Sequence, residues 1–149
     1  MKTFLIRLWQ WTWGFPQTAA GAAVRAFLVF RNAVSRNSAP LPSGRCGHAV
    51  VTGWKLRSAL SLGMFLFVPA GDPFLPNATW VHEFGHAVQS CILGPLFLPF
   101  VGLPSLVWAS FFGRFRSKRR FSYYRFPTER WANRLGEDKT GMTPPENIR

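Results

Sequence analysis

Residues 77–93 read NATWVHEFGHAVQSCIL, and the chain runs on through 91–113 as CILGPLFLPFVGLPSLVWASFFG. The first part reads as a helix, with Asn77 as its N-cap and Gly94-Pro95 as its stop. The second part is a 23-residue run without charge, transmembrane by length alone. Pro95, Pro99 and Pro104 interrupt it, so it predicts a broken or re-entrant segment and not one straight helix.

Charge is arranged around this stretch. The 149 residues hold 18 Lys/Arg and 6 Asp/Glu, a net charge of +12, yet only 16% are charged, against roughly 25% in an ordinary globular chain. Residues 1–57 carry eight basic residues and no acid, and residues 114–149 carry ten basic residues and four acids. Residues 58–113 hold no Lys or Arg, and their acids are Asp72 and Glu83. With 48% hydrophobic residues, 15 Phe and 7 Trp, the chain is too apolar for intrinsic disorder. Segregated charge also argues against a conventional soluble enzyme. The positive-inside rule places both basic flanks on the cytoplasmic side, with 58–113 dipping into the membrane and returning. The expected fold is a mainly α membrane protein with a short β-hairpin. One domain is expected over 1–135, followed by a flexible polar tail over 136–149.

Residues 4–30, FLIRLWQWTWGFPQTAAGAAVRAFLVF, allow a secretory signal with cleavage at Ala20-Gly21-Ala22. Arg7, Gln10 and Thr12 interrupt its apolar core, so a retained anchor helix over 8–30 is preferred, about 34 Å long. Trp9, Trp11 and Trp13 suit an interface belt. A helix lying in the interface, with Arg7 and Arg25 reaching to water, is the alternative. Residues 31–57 read as a basic connector with Pro40, Pro42, Ser43 and Gly44. Residues 48–52 and 59–68 predict two strands of a hairpin within 46–69, joined by Gly53 to Arg57. Residues 58–69 also fit a buried helix. Cys46 and Cys91 make no disulfide framework, and Cys46 with His48 is a weak metal pair.

His82-Glu83-Phe84-Gly85-His86 is an H-E-x-x-H match. Four residues make about one helical turn, so His82 and His86 share a face and can hold one Zn²⁺ between them. Glu83 adjoins the first ligand, where its carboxylate can take a proton from water on the metal. A catalytic zinc needs a third protein ligand. Downstream acids are Glu129, Glu137, Asp138 and Glu146, and the last three lie in the tail. Glu129 opens a predicted helix over 127–135 and is the candidate ligand, with Asn133 one turn on to hydrogen-bond a ligating histidine. The plainer reading of Glu129 is a surface residue paired with Arg125 or Arg134.

His82-Glu83-Phe84-Gly85-His86 followed by Glu129-Arg130-Trp131-Ala132-Asn133 resembles the gluzincin metallopeptidases, especially the membrane-bound HtpX and CAAX-protease class. The resemblance implies a zincin-like active-site helix, zinc on His82, His86 and Glu129, and Glu83 as general base. The family usually has Asp where this chain has Asn133, a weaker acceptor. The wider pattern of WQWTWGFPQT, QSCILGPLFLPFVGLPSLVW and ERWANRLG resembles a group of small bacterial membrane proteins. It implies a place in the bacterial cytoplasmic membrane and no particular substrate; the positive-inside rule turns the site toward the cytoplasm.

On this reading the chain hydrolyses peptide bonds of a peptide or membrane-protein substrate. Tyr123, Tyr124 and Arg125 are the possible oxyanion donors, by chain position. An edge strand within 46–68 would align an extended peptide. Residues 114–125 interleave cations with aromatics, which fits RNA or anionic lipid headgroups; adjacency to an apolar run favours lipid over nucleic acid. The alternatives are an inactive membrane protein with a structural zinc, and a basic lipid-binding protein whose HEFGH is incidental.

Overall fold

A computed structural model describes residues 2–35, 41–70, 79–119 and 122–144. Two N-terminal helices, α1 (Lys2–Thr12) and α2 (Phe15–Val34), lead into four strands: β1 (Ser43–Cys46), β2 (Ala49–Trp54), β3 (Leu60–Leu62) and β4 (Phe65–Pro69). Helix α3 (Thr79–Leu93) follows. A 3-10 turn (Gly94–Leu96), a π turn (Leu98–Gly102), α4 (Leu103–Ser110) and α5 (Gly113–Arg119) come next. A 3-10 turn (Tyr123–Arg125) and α6 (Pro127–Thr140) end the described order. Asn77, the expected cap of α3, lies outside the described residues.

The sheet has the order β1-β2-β4-β3 and is mixed. β1 and β2 pair antiparallel, β2 and β4 parallel, and β3 and β4 antiparallel. The expected single hairpin joined by 53–57 is corrected to two tight ones. Gly47 and Gly63, at φ 52° and 60°, take the left-handed backbone that two-residue turns favour. The run 59–68 therefore folds back on itself at Gly63-Met64, and the two hairpins meet through their inner strands, Val50 opposite Phe65. Within 58–69 the chain forms strands β3 and β4 and not a buried helix.

Strand alternation divides the core in two. Ala49, Val51, Leu66 and Val68 pack with Phe84 and Ala87 of α3 on one face. Trp54, Phe65 and Phe67 pack with Ala22, Val24 and Leu28 of α2 on the other. Covered on both faces, β4 reads as a continuous apolar run, Phe65-Leu66-Phe67-Val68.

The mainly α membrane fold is thus corrected to an α/β fold with a four-stranded mixed sheet. Among the described residues no single helix is long and apolar enough to cross a membrane. The anchor expected over 8–30 breaks at Trp13-Gly14, because Pro16 opens α2 as a new helix. Gln10, Gln17 and Thr18 are buried in a polar network beneath it. Gln10 Nε2 donates to the Ala87 carbonyl at 3.0 Å, and Gln17 Nε2 donates to Ser90 Oγ at 2.9 Å and to the Gly94 carbonyl at 2.8 Å. The connector expected over 31–57 holds the end of α2 and both strands β1 and β2. The expected tail is also shorter, since α6 continues to Thr140 and ends on left-handed Gly141.

Candidate metal centre

Helix α3 lies between the sheet and α6. It approaches α6 closely because small residues stand at the crossing. A Cβ at Gly85 would overlap the Ala132 carbonyl, and one at Gly136 would overlap the Val81 carbonyl. On α6, Glu129, Ala132, Asn133 and Gly136 follow i, i+3, i+4, i+7 spacing and so share one face. Close approach through Gly85 and Gly136 presses Glu129 and Asn133 against His82 and His86.

Nε2 of His82 lies 3.0 Å from Glu129 Oε2, and Nε2 of His86 lies 3.3 Å from the same oxygen. Two ligand atoms held at about 2.0–2.1 Å from one tetrahedral ion stand about 3.3 Å apart. The three ligand atoms fall within 4.8 Å of one another, and His82, His86 and Glu129 can together hold a metal ion. All three are buried, Glu129 completely, so its plainer reading as a surface partner of Arg125 or Arg134 is corrected. Burial alone would raise the Glu129 carboxyl, but hydrogen bonds and charge from His82 and His86 outweigh it and hold the group well below the usual carboxylate range. Its second oxygen, Oε1, is buried without a hydrogen-bond partner.

The other ring nitrogens are committed. Nδ1 of His82 lies 2.6 Å from Asn133 Oδ1, and Nδ1 of His86 lies 2.7 Å from Gln89 Oε1. Amide oxygens only accept, so each Nδ1 carries a proton and donates it, which leaves Nε2 as the atom of each ring that could ligate a metal beside Glu129. Gln89 Nε2 donates to the Thr128 carbonyl at 2.8 Å, which orients its amide with the oxygen toward His86. The donor set of two imidazoles and a carboxylate, with outward protons anchored and one carboxylate oxygen unsatisfied, fits a divalent ion.

Glu83 is buried, and burial pushes its carboxyl up to about 7 against the opposing pull of His82. With His86 and Tyr123 it borders a cavity of about 400 Å³. The remaining wall is largely apolar: Ala59 to Leu62 from edge strand β3 and its approach, and Phe97, Val101 and Leu106 from the bent segment after α3. Tyr123 borders the cavity; burial, then the negative charge of Glu129 and a hydrogen bond to it, raises its hydroxyl pKa far above the ordinary value. The Tyr124 ring stands 5.0 Å from that of His82, and burial pushes its hydroxyl up to about 12. Arg125 is exposed and does not border the cavity. Cys46 and His48 lie outside the metal group, although His48 Nε2 is 3.8 Å from Cys91 Sγ.

Sequence reasoning overlooked Gln89. Its signal was available: a polar side chain one turn after His86 in an otherwise apolar stretch. It also overlooked Gly85 as the contact point for α6. No protein-family model, no curated protein and no solved structure matches the chain.

Proposed function

We propose that the chain is a zinc-dependent peptidase. The observation that carries this reading is Glu83, a buried carboxylate beside the His82, His86 and Glu129 group, on the wall of an apolar cavity bordered by an edge strand. Two imidazoles and one carboxylate are a donor set of catalytic zinc, which keeps a fourth position open, whereas structural sites are commonly rich in cysteine. Bound there, zinc would supply Lewis acidity, making water more acidic and polarising a carbonyl oxygen.

The chain's own groups supply the remaining steps. Glu83 takes the proton from the attacking water and passes it to the departing amine. The Tyr123 hydroxyl, kept protonated and hydrogen-bonded to Glu129, would turn that hydrogen bond to the developing oxyanion. β3 is an edge strand of the sheet, the kind of element on which an extended peptide could pair. A structural metal is the second reading, supported by the burial of all three ligands. The test is bound metal and proteolysis in wild type and Glu83→Gln. Zinc in both with cleavage only in wild type supports the peptidase. Equal zinc with no cleavage by either, across casein and membrane-protein substrates, supports the structural role.

A further inference from the structure

The core leaves a large apolar surface uncovered. In α1, Gln10 is the buried residue, and Phe4, Leu5, Leu8, Trp9 and Trp11 are all exposed, Phe4 to 68%. Exposed apolar side chains on a short helix that also carries Lys2 and Arg7 fit a helix lying at a lipid interface. Two tryptophans join this helix to the end of α3. Trp9 Nε1 donates to the Cys91 carbonyl at 2.9 Å, and Trp13 Nε1 donates to the Ile92 carbonyl at 3.4 Å. The apolar surface continues from that junction through Ile92, Leu96, Phe100, Leu103, Leu106 and Phe111, all half or more exposed. Monomeric soluble proteins rarely leave so extended a patch uncovered.

Charge indicates what covers it. Lys2 begins α1, and Lys118 and Arg119 follow the second apolar stretch; all three are exposed. Residues 114–120 hold five basic residues, and residues 1–57 hold no acid. We propose that this face docks onto an anionic lipid bilayer and lies within one leaflet. Apolar side chains would enter the acyl region while the flanking cations meet headgroups, with the tryptophans at the boundary. A second copy of the chain is a poorer occupant, because it would bring its own charge of +12.

The depth is limited to one leaflet by geometry. Thr79–Leu96 and Leu98–Ser110 meet at a bend of 120°. The first arm carries the metal group and is enclosed by the sheet and α6. The second arm spans about 20 Å at ~1.5 Å per residue, short of the ~30 Å hydrocarbon core. Leu103 and Leu106 also border the cavity beside Glu83, so its rim belongs to the docking face. Docking itself needs neither metal nor Glu83.

The test is flotation of the full chain with sealed vesicles of phosphatidylcholine alone, or mixed with phosphatidylglycerol. Binding should be at least about tenfold stronger to the anionic vesicles. Vesicles of brominated lipid should quench tryptophan fluorescence. Leu8→Glu and Phe100→Glu, both at exposed positions, should each weaken binding about tenfold or more while melting temperature and circular dichroism stay unchanged. Failure to float with either vesicle, equal binding to both, or absence of bromolipid quenching overturns the proposal. So do wild-type binding by folded Leu8→Glu and Phe100→Glu, and a stable dimer that buries this face and ignores vesicles. Glu83→Gln should float like wild type, so loss of peptidase activity and loss of docking are read separately.

Discussion

Replacing Gly85 by alanine adds one methyl group where α3 and α6 cross. The new Cβ would lie 3.0 Å from Ala132 Cα and would overlap the Ala132 carbonyl, whereas carbon atoms in good contact stand about 3.5–4.0 Å apart. The obstacle is backbone, so no rotamer change relieves it, and α6 must withdraw by on the order of 1 Å. Overpacking of this kind costs about 1–3 kcal/mol. Glu129 is three residues before Ala132 and Asn133 is the next residue, so both retreat with the helix. Metal sites tolerate about ±0.2 Å in ligand distance, and the 3.0 Å and 3.3 Å approaches of Glu129 to the two histidines would be lost. Zinc affinity should therefore fall at least about 100-fold, which is ~2.7 kcal/mol. Competition with a chromophoric chelator measures the affinity, and thermal unfolding measures the stability. Gly141→Ala is the control. Gly141 has φ 69° with nothing within 4 Å of its would-be Cβ, so alanine there should cost about 1 kcal/mol by backbone strain and leave zinc binding unchanged. Wild-type zinc affinity in Gly85→Ala would refute the argument that close helix approach assembles the site.

Two further outcomes follow from single side chains. Asn133→Ala removes the acceptor for His82 Nδ1–H and should lower zinc affinity about 10–100-fold, whereas Asn133→Asp, a stronger acceptor, should bind zinc more tightly than wild type; the same chelator competition reads both. His48 is buried, and burial, then the charge of Arg7, lowers its pKa to about 4. Between pH 6.5 and 4 the unfolded chain takes up a proton that the folded chain refuses, so stability falls as pH drops through that window, by about 3 kcal/mol in all. Above pH 6.5 the group contributes no slope. Denaturant unfolding across this range should show a shallower decline in His48→Gln than in wild type.

Local order was legible where chemistry depends on spacing within one helix. His82 and His86 lie one turn apart whatever the rest of the chain does, and Glu129 and Asn133 likewise share a face of α6. Apolar runs were less informative, because composition reports that a segment leaves water and not what covers it. Phe65 to Val68 is covered by two helices. Trp9 and Phe100 remain open. Both stretches look alike in sequence. The parallel register of β2 with β4 was also illegible, since it joins the inner strands of two hairpins and has no local signature.

Residue types able to hold a metal, their one-turn spacing and the separation of charge from the apolar middle can be read along the chain, because they follow from local geometry and counting. That Glu129 meets both histidines, that Gln89 holds His86, and that the apolar middle builds a sheet core and a bent segment emerges only from long-range packing. Those outcomes depend on how closely distant backbones approach, and here that distance is set by the absence of side chains at Gly85 and Gly136.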